Sequence, residues 1–115
     1  MRFLSLYTPS RTAGPPTPEH IAEMGKLIEE SMKSGALLAT GGLAPMAKCG
    51  ARIRRAADEI TVIDGPFVEA KELSGGFAIM QAESKEDVID MVKNFMKIAG
   101  DGDCDVHQIM DQPGE

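Results

Sequence analysis

Large aromatic side chains are scarce in this chain of 115 residues, which has no tryptophan, one tyrosine and four phenylalanines. The interior must be filled by other means. Eight methionines supply one, because an unbranched thioether adapts to irregular gaps. Met24, Met32, Met80, Met91, Met96 and Met110 mostly fall at core spacing, which reads as an adaptable interior and not as a copper site. Cysteine is equally sparse. Cys49 and Cys104 stand far apart, without Cys-x-x-Cys or Cys/His ligand spacing. The expectation is therefore reduced thiols in a cytoplasmic protein, not a disulfide framework or a zinc site. Long apolar runs are missing too: each is brief and broken by charge, and Met1–Tyr7 passes too soon into Pro-rich sequence to act as a signal peptide. No membrane association is expected. The last deficit is positive charge. Twelve Lys and Arg against eighteen Asp and Glu give a formal charge of −6, which disfavours a general nucleic-acid binder, since phosphate contacts require a concentrated basic surface. Only Arg52, Arg54 and Arg55 cluster.

What is present fits one domain over residues 1–111, with Gln112–Glu115 as a loose tail. Met1–Tyr7 reads as a strand with Leu4 and Leu6 on one face and Phe3, Ser5 and Tyr7 on the other. The segment from Thr8 to Pro18 holds four prolines and Gly14 and reads as a shaped loop. Thr17 is placed to cap a helix whose first residue is Pro18, where a missing amide hydrogen costs nothing. Ile21, Met24, Leu27, Ile28 and Met32 form an apolar stripe at three- and four-residue spacing, and Gly35 supplies the stop, so this helix should pack one face on a sheet. Ala36–Gly41 reads as a buried strand, with Gly41-Gly42-Leu43-Ala44-Pro45 as the turn after it. Ala51–Ala56 and Ile60–Asp64 suit a hairpin, and Gly76–Ala82 a further strand. Ser84-Lys85-Glu86-Asp87 resembles a capping box with Asp in the place of Glu, opening a second helix that carries Val88, Val92, Phe95 and Ala99 as far as Gly100. Val106–Asp111 reads as the last strand. The acidic stretch Asp101–Asp105 begins like a calcium loop but lacks the later glycine and glutamate, so it reads as a solvated connection. The order is βαββαβ with an inserted β-hairpin, an α+β ferredoxin-like arrangement. Helices cover only one face of such a sheet. A second layer is needed for the other, and a homodimer would supply it.

Asp64-Gly65-Pro66-Phe67-Val68-Glu69-Ala70-Lys71-Glu72, followed by Gly75-Gly76-Phe77, joins a turn signal to three acids and a lysine. Asp, Gly and Pro each suit a turn for a separate reason. The phrase Asp-Gly-Pro-Phe-x-Glu-x-Lys-Glu resembles the signature of the DGPF branch of the YCII-related proteins. That resemblance implies a small dimeric ferredoxin-like fold in which sheets meet around a cleft, in a dimeric α/β-barrel-like assembly. It transfers no reaction, because the family's biochemical role is mostly undefined.

The candidate catalytic residues are Asp64 and His20. Asp64 is either a general acid or base or an Asx cap on its own turn. His20 and His107 are the only imidazoles, the side chains best matched to proton transfer near neutral pH. In YCII-like relatives a histidine of the first helix pairs with an aspartate. Registered on Leu37-Leu38, that position falls on Met24, one turn after His20, so this sequence departs from the family pattern. Arg52, Glu69 and Lys71 are the candidate ligand-binding residues, with Lys71 suited to an anionic group and Glu69–Glu72 otherwise a solvated charge run. No metal or cofactor is expected. Two readings follow. One is a small-molecule-binding or lyase-like enzyme working by proton transfer in a polar cleft near the dimer junction. The other is a non-catalytic dimeric accessory module, which the resemblance links to transcription through extracytoplasmic-function sigma factors.

Overall fold

The computed structural model describes residues 1–10, 14–44, 50–64 and 75–111. In chain order the elements are β1 (Arg2–Pro9), α1 (Pro18–Ser34), β2 (Leu37–Leu43), β3 (Ala51–Ala56), β4 (Glu59–Asp64), β5 (Gly75–Gln81), α2 (Lys85–Ala99) and β6 (Gly102–Ile109). Cys49, the signature from Gly65 to Glu72 with Glu69 and Lys71, and the tail Gln112–Glu115 lie outside the described residues.

Both helices begin and end where their capping chemistry dictates. The Thr17 hydroxyl oxygen accepts the His20 backbone N–H at 3.1 Å, and Pro18 opens α1 without wasting a donor. Gly35 ends it in the left-handed region, at φ +83°, with its N–H donating to the Met32 carbonyl at 3.2 Å. At α2 the Ser84 hydroxyl oxygen accepts the Asp87 N–H at 3.1 Å, and Gly100 closes the helix at φ +98°.

Four strands form one antiparallel sheet in the order β2-β5-β1-β6. With the hairpin set aside, this is second, third, first and fourth strand side by side, the ferredoxin-like α+β order. Register assigns the faces. Phe3 pairs with Met80, Ser5 with Ala78 and Val106, and Tyr7 with Cys104; these side chains look toward the helices. Leu4, paired with Ile79 and His107, and Leu6 look the other way, because strand side chains alternate. The core is small: Phe3, Leu37, Met80, Val88 and Val92 are the buried apolar residues among those described, gathered between α2 and the middle of the sheet.

Three expectations are corrected. Gly41 and Gly42 are not a turn but strand, paired with Phe77 and Gly76. A side chain at Gly41 would meet the Phe77 ring at 3.0 Å, so the glycine permits close approach and does not break the strand. The acidic stretch also belongs mostly to a strand, since β6 begins at Gly102 and pairs with β1 from there. On that edge strand Asp103 and Asp105 alternate outward while Cys104 turns in, a pattern that carries charge without leaving the sheet. Finally, α1 does not bury its stripe: none of its residues is buried, and Ile21 is 60 % exposed.

The inserted strands β3 and β4 form a separate two-stranded ribbon. Ala57 and Asp58 both take positive φ, 49° and 66°, the geometry of the tight primed turn whose twist matches that of the strands it joins. Arg55 and Asp58 pair across this turn. Ile53 and Val62 face each other beside Ile60, and all three are more than 60 % exposed.

Candidate functional site

The space that α1 does not fill is a cavity of about 320 Å³ between the two helices and the inner face of the sheet. From α1 come Met24, Leu27, Ile28 and Ser31, which share one face because they stand at three-, four- and seven-residue spacing. From α2 come Met91, Val92, Asn94 and Phe95. The floor is the sheet, with Ser5 and Tyr7 of β1, Thr40 and Gly41 of β2, and Ala78 and Met80 of β5.

Among the described residues the lining carries hydroxyls, an amide and apolar groups but no charged side chain. Most of the polar atoms are already engaged. The Thr40 hydroxyl donates to the Phe77 carbonyl at 2.8 Å. The Tyr7 hydroxyl reaches past the end of α2, 3.0 Å from the Gly100 carbonyl oxygen and 3.1 Å from that of Asp101. Its ring meets Phe95 edge to face at 5.3 Å between centroids, a favoured aromatic arrangement. Burial pushes the Tyr7 phenol above its ordinary value, and the charges of Asp101 and Cys104 add to this. Burial likewise raises the Cys104 thiol, opposed by a hydrogen bond with Ser5 and assisted by Asp105.

The residues expected to carry chemistry lie elsewhere. His20 is exposed in the first turn of α1 and does not line the cavity. Arg52 is half-buried on β3, opposite Ile63, and Asp64 ends β4, paired with Ala51. The hairpin thus brings Arg52 and Asp64 to one end of a ribbon. His107 is exposed on β6 opposite Leu4. Among the described residues no group of three His, Cys, Asp or Glu side chains is placed to hold a metal ion. Among those same residues no helix is long and apolar enough to cross a membrane.

A model of the YCII-related domain matches residues 1–102, nearly the whole chain. The chain belongs to the YCII-related family. No curated protein matches it. Among solved structures it is similar to the divalent cation tolerance protein (Cut A1) from Thermus thermophilus, with 9 % identity and a TM-score of 0.46 over 97 % of this chain and 87 % of that one.

Sequence reasoning on this YCII-related chain passed over Ser31 and Asn94. A signal was there. Each is a polar residue set within or beside an apolar helical stripe, Ser31 seven residues after Met24 and Asn94 next to Phe95, and a polar residue at such a place faces something other than plain core.

Proposed function

We propose that this YCII-related protein, as a member of the DGPF branch, binds a small molecule in the cavity between its helices and its sheet. The observation that carries the reading is the cavity itself. Its volume of about 320 Å³ falls within the range of small-molecule sites, about 300–1,000 Å³, in a chain whose described core has only five buried apolar residues. Met24, which stands where the resemblance puts the family's histidine, lines this cavity. The position is kept in the site while its imidazole is replaced by a thioether. Binding in the cavity calls on none of the residues singled out by chemical type: His20 and Arg52 do not line it, Glu69 and Lys71 lie outside the described residues, and proton transfer by the signature acid Asp64 is a separate proposal with its own test.

The test uses the folded chain. Leu27→Trp fills the cavity from the loosely packed helix, and thermal-shift screening with small carboxylates and phenols reads binding. Ligand-induced stabilisation in the parent that vanishes in Leu27→Trp supports the reading; stabilisation of equal size in both sinks it. Asp64→Asn divides chemistry from structure: loss of turnover with ligand stabilisation intact supports a proton-transfer role, and loss of the fold makes Asp64 a turn cap.

A cytoplasmic homodimer completes the proposal. The face bearing Leu4, Leu6 and Ile79 has no described helix over it. Sedimentation equilibrium at micromolar concentration should give twice the chain mass; a monodisperse monomer would remove the dimer. One observation favours the accessory-module reading instead. Ile53, Ile60 and Val62 lie exposed on a ribbon that packs chiefly on itself, and isolated two-stranded ribbons are marginal in water. Under that reading, charged substitutions at Ile53 and Val62 abolish capture of an extracytoplasmic-function sigma factor and leave ligand binding untouched.

A further inference from the structure

Resting on the reading of the cavity as a binding site, we infer that its ligand is neutral and mostly apolar, about two fused rings in size, with its one hydrogen-bonding group held by Ser31 or Asn94. Charge comes first. Among the described residues none of the lining side chains is ionisable to a cation, and none is a carboxylate. A buried carboxylate or ammonium without a partner loses far more hydration than hydrocarbon contact returns, so the part of the ligand inside the cavity carries no charge.

Size follows from volume. An engineered cavity of about 150 Å³ lined by aliphatic and aromatic side chains stays dry and takes benzene. The cavity here, about 320 Å³, is roughly twice that and admits two fused rings. The walls suit a flat π-system: the thioethers of Met24, Met80 and Met91 line it together with Phe95, and sulfur sits favourably near ring edges.

Orientation follows from which polar groups are spoken for. The Thr40 and Tyr7 hydroxyls donate to main-chain carbonyls, and Ser5 is engaged with Cys104. The side chains of Ser31 and Asn94 make no hydrogen bond to any described residue. They come from opposite helices, Ser31 half-buried and Asn94 exposed, so they mark the edge of the cavity where α1 and α2 face each other. A ligand hydroxyl at the rim can exchange a hydrogen bond with either side chain, while its rings lie inward.

The experiment titrates the whole protein, with its methionine methyl groups carbon-13 labelled, with three probes: naphthalene, 2-naphthol and 2-naphthoate. Expected are shifts of the Met24, Met80 and Met91 methyl signals with naphthalene and 2-naphthol, and none at Met1 and Met110, both about half exposed on the surface. 2-Naphthoate should bind at least tenfold more weakly than 2-naphthol. Ser31→Ala with Asn94→Ala should weaken 2-naphthol several-fold and leave naphthalene unchanged. If 2-naphthoate binds as tightly as 2-naphthol with the same three methyl shifts, the neutral class is wrong while the cavity still binds. If no probe moves those signals, the binding reading falls as well. Equal weakening of naphthalene and 2-naphthol by the double substitution would overturn the roles of Ser31 and Asn94. All three titrations use the parent chain, so the ligand class is decided even if the double variant does not fold.

Discussion

The helices α1 and α2 lie in one layer, each with a hydroxyl cap in front and a glycine behind, yet they hold the molecule together to different degrees. α2 buries Val88 and Val92 against Phe3 and Met80, and the Tyr7 hydroxyl ties its last carbonyls to β1. α1 buries nothing. Its stripe lines an opening, and the Glu29–Lys33 pair at 3.1 Å is an exposed contact, of the kind that contributes only about 0.3–0.5 kcal/mol. An apolar stripe therefore specifies which face turns inward, and the depth of packing is set by what stands opposite. Opposite α2 stands Phe3, almost fully buried; opposite α1 stands the cavity.

The largest test of this contrast is truncation. Val88→Ala should lower unfolding free energy by about 2–3 kcal/mol through lost burial and a new void, a fall in melting temperature on the order of 10 °C. Leu27→Ala should cost about 1 kcal/mol or less, since its side chain already borders empty space. Equal losses would break the comparison. Enlargement should follow the same contrast: Val88→Phe overpacks a filled site at a cost of about 1–3 kcal/mol, while Leu27→Phe extends into the cavity and changes stability by no more than about 0.5 kcal/mol. A Leu27→Phe variant as unstable as Val88→Phe would show that α1 is tightly packed after all.

Capping sharpens the point at smaller scale. Ser84→Ala should cost about 1 kcal/mol of global stability. Thr17→Ala should cost less in a denaturant titration and show itself as faster amide exchange confined to the first turn of α1, because a loosely docked helix opens locally. Uniform exchange across both helices would contradict this.

The last test concerns Tyr7. Its phenol ionises above the ordinary value of about 10, so the unfolded chain gives up its proton first as pH rises. The stabilisation is complete below the ordinary value and is lost as pH climbs through the folded one. Absorbance of the sole tyrosine should show the displaced titration directly, and Tyr7→Phe should remove both the titration and about 1 kcal/mol of stability. A phenol that titrates at its ordinary value would detach Tyr7 from the end of α2.

Much of the fold could be read from local chemistry. Thr17-Pro18, Gly35, Ser84 and Gly100 bound the helices because caps act over three or four residues. Arg55 to Glu59 could be read as a hairpin for the same reason. Gly41-Gly42 and Asp101–Asp105 misled because their strand character comes from distant partners, the Phe77 ring and the β1 backbone. The candidate site was less legible still. Met24, Leu27 and Ile28 have the spacing of core residues, and no local rule says that the helix bearing them stands off the sheet. Imidazoles and signature acids drew attention by chemical type, while the cavity is a property of three elements together.

Leu43 pairs with Gly75, so residues 44–74 leave and return at the same point of the sheet. A four-residue turn would join these neighbours as well. Replacing it by an excursion about three doublings longer adds only roughly 2 kcal/mol of closure entropy, because that cost grows with the logarithm of length. The four-stranded scaffold is in this sense indifferent to what it carries there. The segment between Leu43 and Gly75 can be lengthened, shortened or rewritten with little debt to the sheet, so the architecture leaves most room to vary at this one point.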